Sequence, residues 1–203
     1  MSHAAHLGPA FYHLGPAWRA AFWASYACWA VIELGIWSRD RASVKGKRED
    51  RFSMLAIVLG VTAGIFAAFS GTGIAATRIA APAELVVGLG IALIWAGLAL
   101  RIWSVRTLGR YFRITVTTQD DHRLIDTGPY RRLSNPSYTG AMLTMAGIGL
   151  AMGNWASLAG IVLFSLAGFA WRIRVEEASL RARFGEDFIA YRKARWALIP
   201  LIW

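Results

Sequence analysis

Apolar residues gather along this chain in long runs broken by short, strongly basic stretches. Residues 17–37, 52–70 and 82–103 form three such runs, each close to the ~20 residues a helix needs to cross a bilayer core. Two shorter runs follow at 138–152 and 155–171, and only Gly153 and Asn154 separate them. That spacing predicts a tight helical hairpin. The pattern as a whole predicts an all-α, polytopic membrane helical bundle with about five transmembrane helices, a single integral membrane domain over residues 1–203. Residues 1–103 hold the first three spans and residues 104–203 hold the hairpin. No basic region precedes the first run, which is also too long for the apolar core of a signal peptide.

Charge orients the spans. Of the 22 Lys and Arg, six lie in 38–51, six in 104–138 and seven in 172–203. The alternate connections hold almost none: Arg78 in 71–81 and nothing at 153–154. Five spans put the three basic segments on one side, and the excess of Lys and Arg on cytoplasmic loops makes that side the cytoplasm. The N-terminus is then outside and the C-terminus cytoplasmic. The net charge of +10 is accounted for by this topology and by anionic membrane lipids. Nucleic acid is excluded as a partner, because the charge is divided among membrane-flanking loops.

Composition supports the class. The chain is 56% hydrophobic with a mean hydropathy of +0.42, and of its ten Trp several (Trp18, Trp37, Trp103, Trp155, Trp171) stand near span ends, as in an aromatic belt. The single Cys28 allows no internal disulfide, and histidines at 3, 6, 13 and 122 give no zinc spacing, so no metal is expected. There is no G-x-S-x-G, H-E-x-x-H or P-loop. Gly88-Leu89-Gly90 lies within a span and reads as helix packing. The Ala-, Gly- and Arg-rich composition points to a bacterial inner membrane.

The candidate chemistry is in the C-terminal half. Residues 104–137 are the longest polar stretch, with a brief extended piece predicted at 114–118 and a turn at Gly128-Pro129. Asn135-Pro136 ends any preceding helix and lets Pro136 open the next. The amides of Ser137, Tyr138 and Thr139 would then be unpaired at a helix N-terminus, either as a simple cap or as a site for an anionic group such as a carboxylate. Residues 172–183 should continue the fifth span as a helix. Arg172 and Glu176 share a face there, in the order less favourable for helix stability, which suits ligand contact better than stabilisation, although a solvated charged face gives the same spacing. Glu177 points elsewhere.

Five motifs follow in order: Leu108-Gly109-Arg110-Tyr111-Phe112, then 122–131 from His122 to Arg131, then Asn135-Pro136-Ser137-Tyr138-Thr139-Gly140, then 172–180, and finally Phe184-Gly185-Glu186-Asp187 with Tyr191 and 199–203. This order resembles the isoprenylcysteine carboxyl methyltransferase family of integral membrane enzymes. The resemblance implies that S-adenosyl-L-methionine binds in a cytoplasmic pocket of the C-terminal half and that the carboxylate of a lipid-like or prenylated acceptor, small molecule or peptide, is methylated. It implies cofactor contacts at His122, Arg123, Leu124, Ile125, Tyr130, Asn135, Pro136, Ser137, Tyr138 and Glu176, and a substrate contact at Arg172, with Arg172 and Glu176 as the catalytic pair. The family usually reads Arg-His-Pro where this chain has Ser134-Asn135-Pro136. Asn135 keeps a hydrogen-bond donor without a charge, and the cation lost at 134 would have to come from Arg131 or Arg132. A phospholipid N-methyltransferase and an NADPH-dependent sterol-type membrane reductase share parts of the pattern and remain alternatives, as does a non-catalytic membrane scaffold.

Overall fold

The computed structural model describes residues 8–43, 52–109 and 124–199. The described residues are helical apart from short connections. Six α-helices follow one another: α1 Pro16–Ser43, α2 Phe52–Gly71, α3 Ala83–Leu108, α4 Pro136–Ala151, α5 Trp155–Phe184 and α6 Glu186–Lys193. The extended piece expected at 114–118 lies outside the described residues.

Four helices, α1, α2, α3 and α5, are long and apolar enough to cross a membrane, and the chain is an integral membrane protein. The fourth expected span is shorter. With 16 residues, α4 is about 24 Å long, less than the ~30 Å hydrocarbon core. It is also the helix with the most buried positions, from Pro136 and Ser137 through Met145 and Ile148 to Ala151. Protein surrounds it where the other helices meet lipid. Val31, Leu34, Leu59, Phe66, Leu89, Leu163 and Phe164 are exposed on those others, as lipid-facing positions are. Trp155 is exposed at the start of α5 and Trp103 near the end of α3, as expected of a belt; Trp171 is exposed midway along α5, and Trp18 packs partly buried against the core.

Small residues decide which helices touch. Lipid tails are as apolar as leucine, so membrane helices associate by close backbone approach rather than by burying apolar area. A Cβ added at Gly97 would lie 2.5 Å from the Gly140 carbonyl oxygen, and one at Gly90 would lie 2.7 Å from the Ala151 amide; α3 and α4 are therefore in backbone contact. The α2–α5 pair is built alike, with Gly60 against the Phe164 carbonyl and Gly168 against the Ala56 carbonyl. Gly90 thus takes the packing role expected of it.

The hairpin joining α4 and α5 turns at Gly153, whose φ of 73° favours glycine. Asn154 caps α5 by accepting from the amides of Ala156 and Ser157, and its Nδ2 donates to the Ile74 carbonyl. The Ala10 amide donates to the Met152 carbonyl at the same end. The opposite end gathers the C-terminal parts of α1, α3 and α5 with the starts of α2 and α4. As expected, α5 runs on past 171; its 30 residues span about 45 Å, so it outruns the bilayer core.

Candidate active site

The site is built where α5 emerges beside the start of α4. Arg172 and Glu176 lie one helical turn apart, and Arg172 Nε donates to Glu176 Oε1 at 2.7 Å. The Tyr138 hydroxyl, from the first turn of α4, donates to the same oxygen at 2.8 Å. Arg172 Nη1 reaches the Ser53 hydroxyl at the start of α2 at 2.6 Å. Three helices thus meet at this ion pair. Glu176 keeps 21% of its side chain exposed. Arg172, expected to face a ligand at the membrane border, is instead fully buried at 0%, engaged by Glu176 and by α2.

A second bracket surrounds Glu177. Its Oε1 accepts from Asn135 Nδ2 at 3.3 Å and from Arg192 Nε at 2.8 Å. Glu177 thus points away from Glu176, as expected, and toward the 135–138 stretch. The cation beside Asn135 is Arg192 of α6; Arg131 and Arg132, the expected substitutes, are exposed. The amides expected to be free at the start of α4 are largely used, because Tyr138 and Thr139 both donate to the Asn135 carbonyl at 3.0 and 3.2 Å. The anion-site reading of that helix end therefore reduces to Ser137.

Helix α6 holds the described end of the first expected cofactor stretch, at Ile125. Gly185, with a φ of 54°, turns the chain out of α5, and Glu186 and Asp187 sit in the first turn of α6, where the helix dipole favours acidic groups. At its far end the Tyr191 hydroxyl donates to the Ile125 carbonyl at 2.9 Å, and Arg195 Nε donates to the Tyr130 carbonyl at 2.7 Å. The Arg195 guanidinium lies 3.9 Å above the centre of the Tyr191 ring, a cation–π contact. Burial pushes the Tyr191 hydroxyl up to about 12, with Arg195 opposing and Asp126 adding to the shift. Burial likewise raises Tyr130, and Tyr191 raises it further. The following segment crosses the start of α4: Ser134 and Asn135 amides donate to the Trp196 and Ala197 carbonyls, and the Thr139 hydroxyl donates to the Leu198 carbonyl at 2.6 Å.

The structure therefore brings together Asn135, Ser137, Tyr138, Arg172 and Glu176, with Pro136 buried as the first residue of α4. It places Ile125 and Tyr130 beside them through α6, with Leu124 half-buried. His122 and Arg123 lie outside the described residues. Sequence reading missed Glu33 and Arg101, which form a two-pronged ion pair inside the bundle (Nε–Oε1 2.8 Å, Nη2–Oε2 2.9 Å) and reach Ser137. A charge stranded within an apolar run is the signal that could have found them. It also missed Tyr191, Arg192 and Arg195 as parts of one bracket.

The model of the phospholipid methyltransferase family matches residues 85–187. The chain belongs to this family. The matched region holds the whole α4–α5 part of the site, and α1, which carries Glu33, precedes it. Among relatives of this phospholipid methyltransferase family chain is a probable protein-S-isoprenylcysteine O-methyltransferase of Oryza sativa subsp. indica, 30% identical over 116 residues, which are 56% of this chain and 61% of that protein. The protein-S-isoprenylcysteine O-methyltransferase of Xenopus laevis is 32% identical over 56% of this chain and 40% of its own length. That of Schizosaccharomyces pombe is 35% identical over 52% and 46%. The chain thus spans about three fifths or less of the length of these relatives. They bear out the resemblance to isoprenylcysteine carboxyl methyltransferases, and all three are eukaryotic, which gives the expected bacterial inner membrane no support. The fold is shared with a solved eukaryotic intramembrane Ras methyltransferase, an isoprenylcysteine carboxyl methyltransferase. The TM-score is 0.56 at 22% identity, covering 77% of this chain and 55% of that one.

Proposed function

We propose that this chain transfers a methyl group from S-adenosyl-L-methionine to the carboxylate of a lipid-like or isoprenylcysteine-type acceptor at the membrane. The observation that supports this most is the convergence of Tyr138 and Arg172 on one carboxylate oxygen of Glu176, within the region of the family match. The residues fit the donor. Its sulfonium and ammonium groups call for a carboxylate with access to solvent, and Glu176 is one. Its own carboxylate calls for uncharged donors such as the Ser137 amide at the start of α4, and its purine calls for half-buried apolar contacts such as Leu124 and Ile125. When bound, it supplies an electrophilic methyl group.

The chain's residues then have simple tasks. An acceptor carboxylate is already ionised at neutral pH, so no general base is required. Glu176 holds the donor's cationic end. Arg172 fixes Glu176 through Nε and lends its positive charge to the acceptor side from beneath the site, through a fork that lysine cannot reproduce. The buried α4 excludes water, and proximity with desolvation supplies most of the acceleration. The membrane orientation that goes with this reading is N-terminus outside and C-terminus cytoplasmic, on the side where the donor is made.

Calorimetry on detergent-solubilised protein with adenosylmethionine and, separately, NADPH tests the donor. Binding of NADPH alone refutes the reading. A farnesylated cysteine analogue and phosphatidylethanolamine, each with the methyl donor, test the acceptor. Methylation of the cysteine analogue, with turnover lowered strongly in Arg172→Lys, is the expected result. Methylation of phosphatidylethanolamine alone replaces carboxyl transfer by amine transfer, for which a base would be needed.

A further inference from the structure

Charged side chains inside apolar helices persist where they are paired and used. Glu33 and Arg101 lie on α1 and α3, and neither belongs to the Glu176 cluster. Arg101 is 8% exposed, and two of its nitrogens grip both oxygens of Glu33. That two-pronged geometry fixes the guanidinium plane as a single bond would not. The third nitrogen, Nη1, donates to the Ser137 hydroxyl at 2.5 Å and lies 3.4 Å from the Ser137 carbonyl oxygen. Arg101 is pressed against the first turns of α4, since a Cβ added at Gly140 would sit 2.7 Å from the Arg101 amide nitrogen. The next residue after Ser137 is Tyr138, whose hydroxyl reaches Glu176. A continuous polar path therefore runs from α1 to the site: Glu33, Arg101, Ser137–Tyr138, Glu176.

We propose that Glu33 is a positioning residue: by fixing the Arg101 guanidinium it sets the Ser137–Tyr138 turn, and through it the donor-binding stretch 135–138. The inference rests on the methyl-donor reading above. It gives α1, which lies outside the family match, a part in the site. Removing the Glu33 charge frees the guanidinium plane, and the start of α4 loses its fixed partner.

Two readouts test this on the full chain in detergent. One is hydrogen exchange of the amides of residues 137–139 without any donor present; the other is adenosylmethionine affinity by calorimetry. Glu33→Gln should speed exchange and weaken affinity, each about tenfold, the change expected for loss of one charge-assisted contact. Ser137→Ala should weaken affinity similarly, and the double variant should be no weaker than either alone. Parent-like exchange or parent-like affinity in folded Glu33→Gln overturns the proposal, as do additive losses in the double variant. If Glu33→Gln does not fold, Arg101→Lys, which keeps the charge and loses the fork, takes its place under the same criteria. If the parent binds no adenosylmethionine, the methyl-donor reading fails, and exchange alone decides the positioning: unchanged exchange overturns it, faster exchange sustains it.

Discussion

Replacing Gly97 by alanine drives one methyl group into the backbone of α4. The added Cβ would stand 2.5 Å from the Gly140 carbonyl oxygen and 2.6 Å from the Thr144 amide nitrogen, where ordinary contact begins at 3.4 Å. The shortfall at these two backbone atoms is about 0.9 Å, and rotating away the Thr144 hydroxyl, the third atom in the way, does not relieve it. The α3 and α4 axes must part, and the Arg101–Ser137 contact one turn along is stretched with them. Overpacking of this kind costs about 1–3 kcal/mol, and the rigid obstruction places Gly97→Ala near the upper end. Alanine's helix propensity returns up to about 1 kcal/mol, leaving a net loss of about 2 kcal/mol. Gly88 on the same helix is the control. Its added Cβ would meet only the Trp18 ring, at 3.7 Å, so Gly88→Ala keeps the propensity gain and should be neutral or more stable by up to about 1 kcal/mol. Unfolding of both variants in mixed detergent, followed by circular dichroism, measures the difference directly. Gly97→Ala equal to or more stable than Gly88→Ala would refute close α3–α4 backbone contact, and with it the geometry assigned to Arg101.

Three further outcomes are expected. Glu176→Gln should weaken adenosylmethionine binding about tenfold, since charge-assisted contacts are worth more than neutral ones; unchanged affinity by calorimetry assigns Glu176 a structural role only. Reporter fusions after Lys45 and after Arg192 should both report the cytoplasm, and opposite sides for the two would end the topology argued from charge. Tyr191, raised to about 12 when folded against about 10 unfolded, holds its proton more tightly in the native state. Its contribution to stability is therefore whole below pH 10 and is lost as pH rises from 10 to about 12. Tyr191→Phe should flatten that alkaline decline, and an unaltered slope in pH-dependent melts would exclude Tyr191 as its source.

The bundle was readable because each lipid-crossing helix announces itself locally. The apolar runs at 17–37, 52–70 and 82–103 fall within α1, α2 and α3 or end within a residue of their bounds, and the two residues between the fourth and fifth runs are indeed the turn. Arg172 and Glu176 were likewise visible as neighbours, since residues four apart on one helix must share a face, whereas the Tyr138 side chain was named only by the family resemblance. What escaped depends on helix rotation and depth. Arg172 follows an apolar run, and it is buried by helices distant in sequence, α2 with Ser53 among them. Glu33 and Arg101 are 68 positions apart, and no local period links them. The length of α4 was read from apolarity alone, which cannot tell a helix wrapped by protein from one wrapped by lipid.

The crossing of residues 196–198 over the start of α4 has a consequence in time. Ser134 and Trp196, which are bonded through backbone and side chain, are 62 positions apart. At about 5–20 residues per second, Trp196 is made roughly 3–12 s after Ser134. During that interval α4 can already stand beside α3 in the bilayer, yet the strip that closes over residues 133–139 does not exist. A nascent chain therefore matures into its final shape only after synthesis has passed residue 198, and a chain that stops short of that point lacks the strip that completes the site.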